Sequence, residues 1–114
     1  GLMTSEALKA AVTLKRQDAI SVRVINMPTI KPLDEEIVLR AARECHKIIT
    51  VEEHSVIGGL GEAVAGILMR EGVHPAFRMI GLPDQFLEAG ALPTLHDMYG
   101  ISVDGVAQQI KGWL

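Results

Sequence analysis

A short β-branched run, Ile48-Ile49-Thr50-Val51, ends in two carboxylates and an imidazole, Glu52-Glu53-His54. Three glycines within four residues, Gly58, Gly59 and Gly61, then lead straight into an Ala/Val/Leu-rich helical pattern. This passage constrains the chain more than any other. A near-continuous apolar strand needs cover on both faces, as strands of a parallel sheet have. Parallel neighbours in turn require right-handed helical crossovers. The glycine-rich strand end is also where open α/β sheets place their working loops.

The rest of the chain repeats the alternation. Thr4 or Ser5 is placed to cap a helix through Ala7, Leu8, Ala11, Val12 and Leu14, whose apolar positions recur at three and four residues. Residues 21–26 are rich in β-branched side chains and read as a strand ended by Met27-Pro28, since proline cannot donate to a ladder. Asp34 stands as an N-cap, with Glu35 and Glu36 in the first turn, where negative charge suits the helix dipole, and Ile37, Val38, Ala41, Ala42 and Cys45 form one apolar face. This helix is expected to end near His46. A strand over 47–52 follows, then a helix over about 59–71 with Ala63, Val64, Ile67 and Leu68 buried and Gly72 as a left-handed stop. A third strand over 76–80, a turn over 81–84, a short helix over 92–99 and a last helix from near Ser102 to 114 complete the order. Strands alternating with amphipathic helices imply a parallel sheet covered on both faces. Four or five helices are too many for three strands, so a leading strand is expected ahead of the first helix.

Composition excludes several classes. At 114 residues and 48% hydrophobic content, the chain is a single domain able to bury a core without staples. With only 4% aromatic residues, that core must be aliphatic. Net charge is -3 and the basic residues are scattered without a stripe, which argues against nucleic acid as a partner. The longest apolar runs are too short to span a membrane. A single cysteine, Cys45, rules out an internal disulfide and fits a reducing cytoplasm.

Three segments in order, Met27-Pro28-Thr29-Ile30-Lys31-Pro32-Leu33-Asp34, Val51-Glu52-Glu53-His54-Ser55-Val56-Ile57-Gly58-Gly59-Leu60-Gly61 and Ile80-Gly81-Leu82-Pro83-Asp84-Gln85-Phe86, resemble the C-terminal domain of the transketolase family. That family includes split transketolases with separate C-terminal subunits, 1-deoxy-xylulose-5-phosphate synthases and the β subunits of 2-oxoacid dehydrogenases. The resemblance covers nearly all of 1–114. It implies a three-layer α/β/α sandwich with a mostly parallel sheet, five-stranded and mixed in the family, and two strands ahead of the first helix. The second of these would end at Gly1 and lie between the strands at Val22 and Ile49, so a fragment of a longer protein is expected. The resemblance further implies a transferase that moves a two-carbon ketol unit between sugar phosphates in pentose phosphate metabolism. Thiamine diphosphate and a divalent metal would be held by N-terminal thiamine-binding domains or a separate subunit, in a homodimeric enzyme. This domain would bind neither, would have no catalytic residue of its own, and would serve packing, assembly or regulation. Alternatives are a deoxyxylulose-phosphate synthase tail, a 2-oxoacid dehydrogenase β-subunit domain that docks on a multienzyme core, and a small-ligand regulatory domain.

The candidate interface or ligand loop comprises Glu53, His54, Gly58, Gly59, Gly61 and Asp84. The glycines resemble a phosphate cradle at a helix N-terminus. However, G-x-G-x-x-G fails, because Val64 stands where the third glycine belongs. The plainer reading is a tight turn that lets the helix pack closely on the sheet. Glu52, Glu53 and His54 offer acid/base or metal-ligand chemistry. Adjacent strand residues point to opposite faces, which separates Glu52 from Glu53 and favours contact across an interface instead. Cys45 and His46, as helix neighbours, do not face each other, and Cys45 reads as a small buried apolar residue. His74 and His96 read as solvent-facing. Phe86 and Trp113 read as anchors, in the core or against another domain.

Overall fold

A computed structural model describes residues 2–28, 32–55, 57–82 and 103–113. Helix α1 (Leu2–Asp18) begins earlier than expected, so Thr4 lies inside it and caps nothing. Leu2 and Met3 are good helix formers and let the helix extend. The Thr4 hydroxyl instead donates to Asn26 Oδ1 at 2.8 Å. Ala10 and Leu14 turn inward and are fully buried, whereas Leu8 and Val12 are about half exposed. The helix stops at Ala19, which sits at φ 55°, and the Ile20 N–H reaches back to the Leu14 carbonyl at 3.2 Å.

The segment that follows corrects the sequence reading, because 21–26 is not a strand. Its side chains keep strand-like alternation, with Ile20 and Val22 packed against the core while Ser21 and Arg23 are exposed. A strand, however, is defined by its hydrogen-bonded neighbour, and among the described residues none pairs with it. The segment is tied down by side chains. Besides Thr4 and Asn26, Arg23 Nη1 donates to Glu44 Oε2 at 2.7 Å. That hydrogen bond raises the already high guanidinium pKa, so Arg23 stays charged.

Helix α2 (Glu35–Glu44) starts as read, with Asp34 accepting from the Ile37 N–H at 3.2 Å and Val38 and Ala41 buried. Cys45 is its extended C-cap and is only half-buried, not a member of the buried face. Strand β1 (Lys47–Ser55) runs three residues further than expected and pairs in parallel with β2 (Ala76–Leu82), which also extends two residues further. The register runs from Lys47↔Ala76 to Val51↔Ile80 and shifts before Ser55↔Leu82. Between them lies α3 (Leu60–Arg70). It ends in a left-handed turn at Gly72, with the Val73 N–H on the Leu68 carbonyl at 2.9 Å and the Gly72 N–H on that of Met69 at 3.2 Å. Helix α4 (Val103–Trp113) closes the described chain. The short helix expected over 92–99, along with His96 and Phe86, lies outside the described residues.

The two strands form the middle of three layers. On one face Ala10 and Leu14 of α1, Val106, Ala107 and Ile110 of α4 and Ile80 of β2 make one aliphatic cluster, joined by Ile49 and Val51. On the other, Val38 of α2 and Val64, Ile67 and Leu68 of α3 make a second, joined by Ile48 and Phe77. β1 is therefore covered on both faces, as its near-continuous apolar run required. The architecture is an α/β/α sandwich around a parallel sheet.

Candidate functional site

Period-two alternation along β1 sends Ile48, Thr50 and Glu52 toward α2 and α3. Glu52 thus ends up buried, 5% exposed, beneath the start of α3. A buried carboxylate needs hydrogen-bond donors, and the first turn of a helix has N–H groups without intrahelical acceptors. The two needs meet. Glu52 Oε1 accepts from the Leu60 N–H at 2.9 Å and Oε2 from the Gly61 N–H at 3.0 Å. The helix N-cap is Gly59, which has no side chain to offer, so a strand residue supplies the missing cap. From the third helical position, Glu62 reaches back past the N-cap and accepts from the Gly58 N–H at 3.1 Å, one residue before the N–H that a capping-box glutamate takes.

Each glycine of the turn has a separate role. Gly58 sits at φ +74°, a left-handed conformation that favours glycine. Gly59 is the N-cap. Gly61 is buried beneath β2 and β1: a Cβ there would clash with Met79 Sδ, and would lie 2.7 Å from Met79 Cγ and 2.9 Å from Thr50 Oγ1. The glycine-rich turn is a close-packing device, and Val64, in the place of a third glycine, is buried in the second cluster. Thr50 Oγ1 lies in the same contact, buried without a hydrogen-bond partner among the described residues.

The sequence reading placed Glu53 and His54 in a loop, but both belong to β1. Their side chains lie outside what is described, as does the whole of Asp84. The structure brings together Gly58, Gly59 and Gly61 and adds Glu52, which the candidate loop had omitted. Alternation along β1 was the signal that could have found it, since it puts Glu52 on the face of Ile48 and Thr50 with the following helix overhead.

The arrangement decides what this end of the sheet can bind. Helix N-termini attract anions through free N–H groups and the helix dipole. Here the Leu60 and Gly61 N–H groups are taken by Glu52, whose charge, with that of Glu62 beside it, would repel a second anion. The diphosphate of thiamine diphosphate therefore does not fit at α3. Among the described residues no three His, Cys, Asp or Glu side chains gather as metal ligands would. Beside the turn lies an open groove of 670 Å³ lined by Pro32, Leu33, Gly59, Glu62, Ala63 and Arg70, and Arg70 pairs with Glu35 across 3.5 Å.

Comparison with known proteins places this architecture. Residues 1–106 match the family model for the transketolase C-terminal domain. A transketolase family protein of Sinorhizobium fredii, y4mN, is 60% identical over the whole chain, which spans 33% of that protein. The 1-deoxy-D-xylulose-5-phosphate synthase of Heliobacterium modesticaldum is 41% identical over 95% of the chain, which spans 16% of that enzyme. Among solved structures, a split-gene transketolase in an inactive β4 tetramer superposes with a TM-score of 0.87 at 38% identity, over 98% of this chain and 36% of the other. The chain thus covers a third or less of the curated relatives named. Its two-faced parallel sheet, its glycine turn and these matches agree, and the chain belongs to the transketolase C-terminal domain family.

Proposed function

We propose that the chain serves as the C-terminal domain or subunit of a thiamine-diphosphate-dependent transketolase-type enzyme that transfers a two-carbon ketol unit between sugar phosphates. In this reading the cofactor and its divalent metal are held by thiamine-binding domains or a subunit beyond this chain, in a homodimeric cytoplasmic enzyme. The chain contributes packing and assembly, and is inactive alone. The observation that supports this reading is the capture of the Leu60 and Gly61 N–H groups by Glu52 and of the Gly58 N–H by Glu62, which makes the glycine turn an internal packing joint. Contact through Glu53, His54 and Asp84 across a domain interface is part of the same proposal.

The test is reconstitution with the thiamine-binding portion. Co-sedimentation and ketol transfer that require both pieces are expected. Failure to associate, with activity of the thiamine-binding portion unchanged by the chain, would sink the reading. A second reading, the tail of a 1-deoxy-xylulose-5-phosphate synthase, is favoured by the identity to that enzyme over nearly the whole chain. Product analysis separates them: the reconstituted enzyme either forms 1-deoxy-xylulose 5-phosphate or exchanges two-carbon units between sugar phosphates.

A further inference from the structure

At the end of the sheet opposite the glycine turn, two cations converge on one aromatic ring. Lys47 opens β1, and Arg78 lies two residues past its partner Ala76 on β2, so both project from the face covered by α1 and α4. There Trp113, in the last turn of α4, receives them: Lys47 Nζ lies over its ring 5.3 Å from the centroid, and Arg78 Cζ lies over it at 5.1 Å. Lys47 has a plain structural task. Its ammonium donates to the Trp113 carbonyl at 3.2 Å, satisfying one of the orphan acceptors at a helix C-terminus. Arg78 has none. It is exposed, and among the described residues it makes no ion pair or hydrogen bond; stacking on the indole leaves the donor edge of its guanidinium unused.

The charge balance is equally one-sided. The chain carries net charge -3, yet neither Lys47 nor Arg78 has a carboxylate partner among the described residues. Their common ring keeps them within about 10 Å of each other, a distance at which charges interact in 0.1 M salt. Two neighbouring cations beside a half-buried tryptophan suit a carboxylate, which a guanidinium edge takes in two parallel hydrogen bonds. Tryptophan and arginine are also the residues that dominate protein–protein contacts. We propose that Lys47, Arg78 and Trp113 form a docking point for an acidic segment of a partner polypeptide, with a partner carboxylate on the free edge of Arg78. This goes beyond the assembly reading and does not depend on it.

Trp113 is the only tryptophan in the chain, so its fluorescence reports on this site alone. The chain is titrated in low-salt buffer with hexaglutamate, with hexaglutamine and inorganic phosphate as comparisons. Expected is a saturable fluorescence change with hexaglutamate only, weakened about tenfold or more on raising salt to roughly 0.2 M. Arg78→Gln should weaken binding by about tenfold or more while lowering the urea midpoint only slightly through the lost ring contact, and Arg78→Lys should restore part of the binding. Lys47→Gln provides a second loss-of-charge variant at the same ring. The proposal is overturned by an absent or non-saturable change, by equal affinity in Arg78→Gln, or by phosphate acting as well as the peptide, which would mark a small-anion site.

Discussion

A single carboxylate, Glu52, carries the joint between β1 and α3. Replacing it by alanine leaves the Leu60 and Gly61 N–H groups without their acceptor and opens a void beneath the helix, and should cost about 3 kcal/mol; glutamine, which keeps one acceptor but points an amide at the second N–H, should cost about 1–2 kcal/mol. Urea unfolding measures both, and an alanine variant as stable as the parent would contradict the role given to the carboxylate. Gly61→Ala should cost about 1–3 kcal/mol by overpacking against Met79 and Thr50. Adding Met79→Ala should recover part of that loss, since the thioether is the bulkier obstacle; a purely additive double mutant would disprove the clash. At this scale the sequence was partly legible. The glycines announced a turn, and the turn formed with Gly58 left-handed and Gly59 as the N-cap of α3. The anion already bound there, Glu52, went unrecognised, because its role depends on a helix that comes later in the chain and folds back over the strand.

Elements differ in how far their making is local. Helix α2 is written in its own residues, with Asp34 as cap, acidic residues in the first turn and an inward stripe, and it started as read, only Cys45 falling outside its buried face. The stop after α3 was legible for the same reason, because Gly72 alone determines a left-handed turn. Segment 21–26 shows the opposite case. Its β-branched residues alternate inward and outward as a strand's do, but a ladder needs a second chain segment, and sequence pattern supplies only the side-chain half of a strand. The stop of α1 is written less well, since Ala19 occupies a left-handed conformation at φ 55° where glycine is the usual residue. Ala19→Gly is therefore expected to stabilise the chain by about 1 kcal/mol, read as a rise in melting temperature. A fall would show that unfolded-state entropy outweighs the strain.

For the molecule as a whole, the sheet divides the core into two aliphatic clusters with separate helices. Leu14→Ala in the first and Leu68→Ala in the second should each cost about 2–5 kcal/mol. Because the sheet lies between them, the two losses should add to within about 0.5 kcal/mol; a strong departure in the double mutant would mean that the faces communicate through β1. Layering was legible from alternation and from the near-continuous apolar run of β1, whereas the order of the layers required knowing which helix covers which face. The cap on α3 has a consequence for how such a domain can be cut and joined. Glu52 and the amides it holds sit on one continuous strand, turn and helix, so a gene fusion that exchanges β1 through α3 between relatives brings the helix start with it. A crossover placed between Glu52 and Leu60 separates the two, and where the incoming strand lacks an acid at that position the chimera should lose about as much stability as Glu52→Ala does.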